Sequence, residues 1–273
     1  MMVIEMEQML TSIQNVMVRQ LAGLKEKKGR DATGMFLVEG VRLVEEALQA
    51  RVDIRQVVYS PKIYDTPRGR ELMEAITKSK LISQLVSAKV LSHLTDTESP
   101  QGIAAAVRIP TVGLPEIKID NKLLLVVDGV QDPGNLGTIV RTALAAGVGG
   151  IICTQGTVDL YNPKALRSTM GAVFKVPVVQ NLSDIALDSW LGANGVPIVL
   201  ADPNGEVAYY EADLTPPLAI VVGSEAHGPG EILRSRAGLR IRIPLSGGVE
   251  SLNVAVAAAL VLFESARQRS MRP

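Results

Sequence analysis

Along the chain, stretches with apolar residues three and four positions apart alternate with short continuous apolar runs. This alternation predicts helices and strands in turn. Apolar residues recur three and four positions apart over residues 3–29, which predicts a long first helix. Short apolar runs at 35–40 and 54–60 predict strands, with a helix over 41–50 between them. Beyond these, the pattern predicts a helix at 68–79, a stretch of mixed pattern at 80–87, a short helix, a polar turn at 95–102 and a strand at 103–109. Elements alternating at this spacing predict an α/β domain.

The alternation continues more strongly beyond residue 121. The stretches KLLLVVD (122–128) and LAIVVGSE (218–225) carry unbroken apolar runs, as do strands that are buried on both faces of a parallel sheet. Further strands are predicted at 150–155, 176–180, 197–202 and 239–245, and helices at 136–146, 163–171, 183–193 and 252–268. The pattern therefore predicts a second α/β domain on a parallel sheet, where ligands bind at the carboxyl ends of the strands.

A stretch without helical period separates the two halves. The segment IPTVGLPEIKIDN (109–121) contains two prolines, and this composition is typical of a linker. We therefore predict a smaller first domain at 1–108 and a second domain at 122–273. The chain has 273 residues, of which 47% are apolar and 21% charged, so it has enough apolar material for two folded domains.

Composition and charge narrow the functional classes. The aromatic content of 3% argues against a protein that reads nucleic acid by stacking bases on rows of aromatic rings. The formal net charge is zero, so the chain as a whole has no basic signal for nucleic acid. One cluster, RQLAGLKEKKGR (19–30), is locally basic. On its own it is interpreted equally well as a solvated helix end or as a phosphate-binding surface.

Metal and membrane classes receive no support from the sequence. The single cysteine, Cys153, cannot form a disulfide within the chain and lies in an apolar run, so we expect it to be buried. The two histidines, His93 and His227, provide no zinc-binding spacing, and no metal is expected. No signal-peptide pattern or long uninterrupted apolar stretch is present, which predicts a cytoplasmic protein that does not enter membranes.

Three glycine-rich stretches follow predicted strands of the second domain. They are DGVQDPGNLG (128–137), VVGSEAHGPGE (221–231) and IPLSGGVESLNVAVA (243–257). The first lacks both the glycine spacing of dinucleotide-binding loops and the lysine of a P-loop. Taken singly, each is explained by turn glycines and by a helix cap such as Ser251. Together, in this order and each at a strand end, they indicate a ligand site.

These stretches resemble the motifs of the SpoU (TrmH-type) RNA 2'-O-ribose methyltransferases of the SPOUT class. The family's Asn-x-Gly-x-x-x-Arg is matched by NLGTIVR (135–141), and its Gly-x-Glu-x-x-Gly by GSEAHG (223–228). Its third motif, Ile-Pro with a short spacer and Ser-Leu-Asn-Val, is matched within 243–257. The resemblance covers residues 122–268 and shows no departure at the motif positions.

The N-terminal half is similar to the substrate-recognition domain of the same family. FLVEGVRLVEEAL (36–48) and SPQGIAAAV (99–107) carry this weaker likeness. It implies that the first domain binds RNA, most simply through basic side chains on phosphates. The candidates are Lys25, Lys27, Lys28, Arg30 and Arg42.

The resemblance implies a fold, a cofactor and a set of site residues. The fold is a trefoil-knotted domain with its C-terminal segment threaded through a loop, and two such domains pair so that the active site forms at a homodimer interface. The methyl donor is S-adenosyl-L-methionine. Its implied contacts are Gly223, Ile243, Leu252, Leu245 and Ala201. The implied catalytic residues are Arg141, Asn135, Glu225, Ser251 and Asn253.

The implied chemistry requires a proton to leave a ribose 2'-hydroxyl as it attacks a methyl group. Arg141 would serve there as the base or as a group that orients and stabilises the alkoxide, since a free guanidinium gives up a proton only at strongly alkaline pH. Asn135 is expected at the start of the helix that carries Arg141, which it would cap, and Glu225 is expected to hold Asn135 or the substrate loop. A glycine at 223 is expected because a side chain would obstruct the ligand.

The predicted function is S-adenosylmethionine-dependent methylation of a ribose 2'-hydroxyl in RNA, with ribosomal RNA favoured by the separate N-terminal domain. Transfer RNA is the nearest alternative substrate, and an antibiotic-resistance methylase of this family also fits. An alternative from a different class is a non-catalytic RNA-binding or ribosome-assembly protein. The intact motif residues argue against that alternative.

Overall fold

Internal contacts divide the chain into two units. The computed structural model describes residues 9–119, 123–224 and 228–271. The first unit contains the chain up to Pro110 and the segment Tyr161–Phe174, and the second contains Thr111–Leu160 and the chain from Lys175 onward. The sequence analysis grouped 161–174 with the second domain. Its aromatic residues explain the difference, because the ring of Phe36 lies 4.5 Å from that of Tyr161 and 6.4 Å from that of Phe174.

The first unit is built on a four-stranded mixed sheet with the strand order β1-β4-β2-β3. The strands are β1 (Met35–Glu39), β2 (Ile54–Tyr59), β3 (Ser83–Leu85) and β4 (Ile103–Arg108). The helices are α1 (Val16–Gly23), α2 (Lys27–Thr33), α3 (Val41–Gln49), α4 (Pro67–Lys78) and α5 (Ala88–Leu94). Strand β4 runs antiparallel to both β1 and β2, and β3 runs parallel to β2. The segment 80–87, of mixed pattern in the sequence, therefore contains β3.

The long first helix predicted for residues 3–29 is wrong over residues 9–15. Leu10 instead pairs with the sheet: its N–H donates to the carbonyl of Leu85 at 3.0 Å, and its carbonyl accepts from Ser87. The side chain of Asn15 then accepts from the N–H of Met17 and so caps α1. Residues 3–8 lie outside the described part of the chain. The three- and four-residue spacing of apolar side chains predicted one continuous helix, because this spacing carries no information about where a capping residue starts the helix.

The second unit is built on a seven-stranded sheet in which every pair of neighbouring strands is parallel. The strand order is β7-β6-β5-β10-β8-β11-β9. The strands are β5 (Leu123–Asp128), β6 (Gly150–Thr154), β7 (Val178–Leu182), β8 (Ile198–Ala201), β9 (Val207–Ala208), β10 (Leu218–Gly223) and β11 (Leu239–Arg242). The predicted α/β class and parallel sheet are confirmed. Strand β9 was not predicted, because two residues are too few to carry a period.

The helices of the second half of the chain flank these strands in sequence. They are α6 (Pro133–Ala145), α7 (Pro163–Thr169), α8 (Asp184–Ala193), α9 (Glu231–Arg236) and α10 (Val254–Ser270). Helix α7 belongs to the first unit, and the other four belong to the second. The short α9 was not predicted, whereas the last helix lies within two residues of its predicted bounds.

The core of the second unit forms around β5 and β10, which lie side by side. Both are almost entirely buried, as their unbroken apolar runs predicted. Ile117, from the segment predicted to be a linker, is also buried in this core. A Cβ on Gly150 would lie 2.7 Å from the Cδ1 of Ile117, so the missing side chain at 150 makes room for it. The later part of 109–121 is therefore packed against the sheet.

Cys153 lies inside β6 and is buried, as expected, and burial raises the pKa of its thiol to about 12. Across the described ranges, no group of three or more His, Cys, Asp or Glu residues is arranged to hold a metal ion. None of the helices in those ranges combines the length and the apolar character needed to cross a membrane.

Candidate functional site

A cavity of about 360 Å³ lies where several parallel strands of the second unit end. Strands β10, β8 and β11 are neighbours in the sheet, so the loops that follow them meet at one edge. All five predicted cofactor-binding residues line this cavity: Gly223, Ile243, Leu252, Leu245 and Ala201. The residues come from three separate stretches of sequence. The fold therefore brings together the set that the sequence analysis assigned to one ligand.

The cavity wall combines apolar and polar side chains. Val222, Ile243 and Leu252 contribute apolar surface, and Asp202 and Arg240 contribute charge. The largely buried carboxylate of Asp202 accepts from the Nη2 of Arg240 at 2.9 Å and from the N–H of Asn204 at 2.8 Å. This pair was not predicted from the sequence. Its signal was an aspartate directly after the apolar run PIVLA, at a strand end.

Gly223 is required by the packing of the loop that follows it. A Cβ at this position would lie 2.3 Å from the nitrogen of Pro229 and 2.5 Å from the carbonyl carbon of Gly228. Such distances force the backbone to shift. A glycine was expected here because of close approach by a ligand, whereas in the structure the returning chain at 228–229 occupies the space. A larger residue at 223 would therefore displace one wall of the cavity.

A buried carboxylate ties this returning loop to the sheet. Asp128, the last residue of β5, accepts from the N–H of Gly230 at 2.7 Å and from the hydroxyl of Thr154. Its main-chain carbonyl accepts from the N–H of Ser224 at 2.9 Å. Burial raises the pKa of the nearby Asp184, and the charge of Asp128 raises it further. Asp128 was also missed, and it too follows an apolar run directly.

A hydrogen bond between two asparagines joins the first and third motifs. The Nδ2 of Asn253 donates to the Oδ1 of Asn135 at 3.0 Å, although 118 positions separate them. The Oδ1 of Asn253 accepts from the N–H groups of Ala255 and Val256, so Asn253 is the N-cap of α10. Ser251 does not serve as that cap. It is exposed and lines the cavity.

Helix α6 begins earlier than predicted, and this changes the role of Asn135. The helix starts at Pro133 and is capped by Asp132, whose side chain accepts from the N–H of Asn135 at 2.8 Å. Asn135 therefore lies in the first turn and does not cap the helix, contrary to the expectation. Its carboxamide faces Asn253 instead. The predicted partner Glu225 lies outside the described residues.

Arg141 lies on α6 in the second half of the helix and is exposed. No carboxylate among residues 9–119, 123–224 and 228–271 forms an ion pair with it. The position of this guanidinium is therefore not fixed by a surface ion pair within those ranges. Helices α6 and α10 pack against each other, which places Arg141 on the element that Asn253 contacts beside the cavity.

The predicted phosphate-binding cluster of the first unit is only partly on the surface. Lys27 and Lys28 are exposed, and Lys25 forms an ion pair with Asp96 at 2.7 Å. Arg30 is a correction: only 3% of it is exposed, and its Nη1 donates to the carbonyls of Leu24 and Lys25. Leu24 is the C-cap of α1 and Lys25 follows it, so Arg30 ties down the chain at this helix end and cannot reach a phosphate in this arrangement.

Comparison with known protein families gives two matches that together span most of the chain. Residues 122–263 match the SpoU rRNA Methylase family. Residues 15–105 match the MRM3-like substrate binding domain.

Individual relatives align over nearly the whole chain. The sequence is 36% identical over 254 residues to the 23S rRNA (guanosine(2553)-2'-O)-methyltransferase RlmP of Bacillus subtilis, covering 93% of this chain and 97% of that protein. The crystal structure of an AdoMet-bound rRNA methyltransferase from Sinorhizobium meliloti is similar, with a TM-score of 0.86 and 32% identity over 97% of this chain and 99% of that one. The SpoU methyltransferase AviRb of Streptomyces viridochromogenes, in complex with AdoMet, has a TM-score of 0.86 and 28% identity over 95% and 100% of the two chains.

Proposed function

This chain belongs to the SpoU rRNA methylase family, and we propose that it transfers a methyl group from S-adenosylmethionine to a ribose 2'-hydroxyl of ribosomal RNA. The relatives confirm the predicted family, enzyme class and methyl donor. The proposal for this chain is carried by one observation. Five residues from three separate stretches line a single cavity, and the asparagine that follows Leu252 contacts the helix bearing Arg141.

The cavity suits the methyl donor in size and chemistry. Small-molecule sites commonly have volumes of about 300–1,000 Å³, and 360 Å³ falls in this range. The apolar side chains of Ile243 and Leu252 offer surface to a base, while Asp202 and Asn204 offer polar groups. When bound, S-adenosylmethionine supplies the methyl group. The protein residues then have to hold the ribose and help remove the proton of its 2'-hydroxyl.

We assign this second task to the residues around α6. The Nδ2 of Asn253 donates to the side chain of Asn135 while Asn253 caps α10, so this hydrogen bond links the first turn of α6 to the start of α10, next to the lining residues Leu252 and Val254. Arg141, exposed and without an ion-pair partner in the described ranges, is available to the ribose hydroxyl. It acts there by removing the proton or by orienting the hydroxyl and stabilising the alkoxide. Glu225 and Ser251 are further candidates for contacts with the substrate.

We further propose that the active protein is a homodimer that works in the cytoplasm. Helix α10 exposes Val256, Leu260 and Phe263, which lie on one face at four- and three-residue spacing. A contiguous apolar surface of this kind marks an interaction site in a water-exposed protein. The proposed site lies at one end of this helix, so a second copy packed there would complete it. The trefoil knot implied by the family is part of the same proposal.

Ribosomal RNA is favoured over transfer RNA because relatives that align over nearly the whole chain are named for ribosomal substrates. An antibiotic-resistance methylase of this family remains compatible with the same site. The alternative of a non-catalytic RNA-binding protein predicts that no methyl group is transferred. Mapping ribose methylation in RNA from cells with and without the gene identifies the nucleotide and separates these cases.

Cofactor binding is tested by filling the cavity. Replacing Ala201 with phenylalanine places a ring where the ligand is proposed to lie, so we expect the affinity for S-adenosylmethionine to fall by about tenfold or more, a loss of about 1.4 kcal/mol. Isothermal titration without RNA measures it. The control is Ala193→Phe at the exposed end of α8, which should bind as wild type does. Equal affinity in both variants would remove this cavity as the cofactor site. Gly223→Val is less suitable because it displaces the loop at 228–229.

RNA binding by the first unit is tested at its exposed lysines. Changing both Lys27 and Lys28 to alanine should weaken binding and lower the dependence of log affinity on log salt by about 0.7 to 0.9 per lost phosphate contact. Filter binding of ribosomal RNA over a salt series measures this slope. A double variant at Lys62 and Lys80, which are also exposed, serves as the control. If the salt slope of the Lys27 and Lys28 variant is unchanged, as in the control, these lysines are solvated side chains that do not contact phosphate.

A further inference from the structure

A second cavity, of about 330 Å³, lies wholly within the first unit. It is bounded by the end of β1 and the start of α3, by the loop at 95–101, and by α7 with the residue that follows it. The lining residues are Glu39, Gly40, Arg42, Leu43, Thr95, Thr97, Ser99, Pro100, Gln101, Ile103, Arg167 and Met170. Leu43 and Ile103 are buried and contribute apolar surface, whereas Thr97, Ser99 and Arg42 are exposed.

The charges of this cavity leave one positive group without a partner. Glu39 is nearly buried and forms an ion pair with the Nη1 of Arg167 at 3.0 Å, and its other oxygen accepts from the N–H of Asp96. The side chain of Arg42 forms no ion pair or hydrogen bond with a residue in the described ranges. Among the charged lining residues, one positive charge therefore remains uncompensated.

The first N–H group of α3 is already hydrogen-bonded. The Oε1 of Gln101 accepts from the N–H of Val41 at 2.9 Å. The charged donors available to an anionic ligand in this cavity are the guanidinium groups of Arg42 and Arg167. In Arg167, the Nε and Nη2 atoms make no hydrogen bond to a described residue, so they remain able to donate.

We propose that this cavity binds one unpaired nucleotide of the RNA substrate, with its phosphate held by Arg42 and Arg167 and its base against Leu43 and Ile103. A single uncompensated charge matches a single phosphodiester. An arginine fork suits phosphate because it donates through two parallel N–H groups. The cavity is too large for a phosphate alone, and its apolar surface suits the face of a base. This inference rests on the proposed function, since it takes RNA as the ligand.

Arg167 is the part of this site that neither sequence pattern nor family match assigns. It lies beyond residues 15–105, which match the substrate-binding domain, and within the span matched to the methylase family. The fold nevertheless places it in the first unit. A segment from the second half of the sequence thus contributes a phosphate-binding group to the RNA-binding unit.

The test is binding of in vitro-transcribed 23S rRNA by the full-length chain, with methyl transfer measured on the same preparations. Arg42→Gln removes the free charge but keeps the length, and we expect about tenfold weaker binding and a salt slope lower by about 0.7. Thr97→Trp keeps the charges and fills the cavity, and it should weaken binding by a similar factor. Arg167→Lys keeps the ion pair with Glu39 and loses the fork, so it should weaken binding by a smaller factor.

Arg51→Gln is the matched control, because Arg51 is exposed just beyond the other end of α3. It should bind as wild type does, and all variants should keep the wild-type cofactor affinity. Arg42→Gln should raise KM for RNA and leave kcat unchanged. Wild-type RNA affinity in both Arg42→Gln and Thr97→Trp would overturn the pocket proposal. Failure of the wild-type protein to methylate ribosomal RNA would instead overturn the proposed function. The binding data would still show whether RNA binds at this cavity.

Discussion

Replacing Arg141 with alanine is expected to reduce methyl transfer by about 100-fold or more, the scale associated with loss of an acid–base participant. Arg141 is exposed on α6 and forms no ion pair with a described carboxylate, so removing it should cost little folding free energy. It does not line the cavity proposed for S-adenosylmethionine. The affinity for the methyl donor should therefore stay near that of wild type.

The measurement is single-turnover methyl transfer to ribosomal RNA beside a cofactor titration on the same preparation. Arg236→Ala is a suitable control, since Arg236 is an exposed helix arginine of the same unit that pairs with Asp188 at 2.8 Å. Its activity should match that of wild type. Activity of Arg141→Ala within a few-fold of wild type would remove this residue from the mechanism. Loss of cofactor affinity together with activity would make it structural.

The second large effect is expected at the exposed face of α10. Phe263→Glu places a charge within the apolar stripe formed with Val256 and Leu260, so we expect the dimer to dissociate. If the active site is completed by the second copy, methyl transfer should fall by about 100-fold or more, as for a lost catalytic group. Light scattering coupled to size-exclusion chromatography gives the mass, and single-turnover transfer gives the activity.

Ile185→Glu provides the control for this change. Ile185 is 70% exposed on α8, a different helix, and its replacement adds the same charge to the same unit. It should remain dimeric and active. A Phe263→Glu monomer with wild-type activity would show that one copy holds the complete site. A monomeric wild-type protein would exclude the dimer altogether.

Local sequence patterns were sufficient where a residue's structure depends on near neighbours. The unbroken apolar runs at 123–127 and 218–222 became adjacent buried strands, because only a strand covered on both faces tolerates such runs. The prediction of the N-terminal helix was wrong because the conformation there depends on a distant part of the chain. The periodicity of residues 9–15 is compatible with a helix, but pairing of Leu10 with the distant Leu85 and Ser87 determines their conformation.

The candidate site shows the same division. Motif resemblance identified five of the residues that line the cavity, and the family match agrees with that resemblance. It could not assign the contacts among them. Asn135 accepts a hydrogen bond from Asn253, Gly223 makes room for the returning chain, and Arg30 donates to the carbonyls that follow a helix.

By itself, the sequence determined the class of fold, most of the strands along the chain and the family, and it predicted five residues that line one cavity. Those properties depend on apolar periodicity and on short motifs, both of which are local. Only the tertiary structure decided that Asp128 holds Gly230 and that Arg167 joins Arg42 at a second cavity. These contacts join residues that are more than a hundred positions apart. They depend on the order of the strands in the sheets and on the packing of α7. No local sequence pattern encodes either of these.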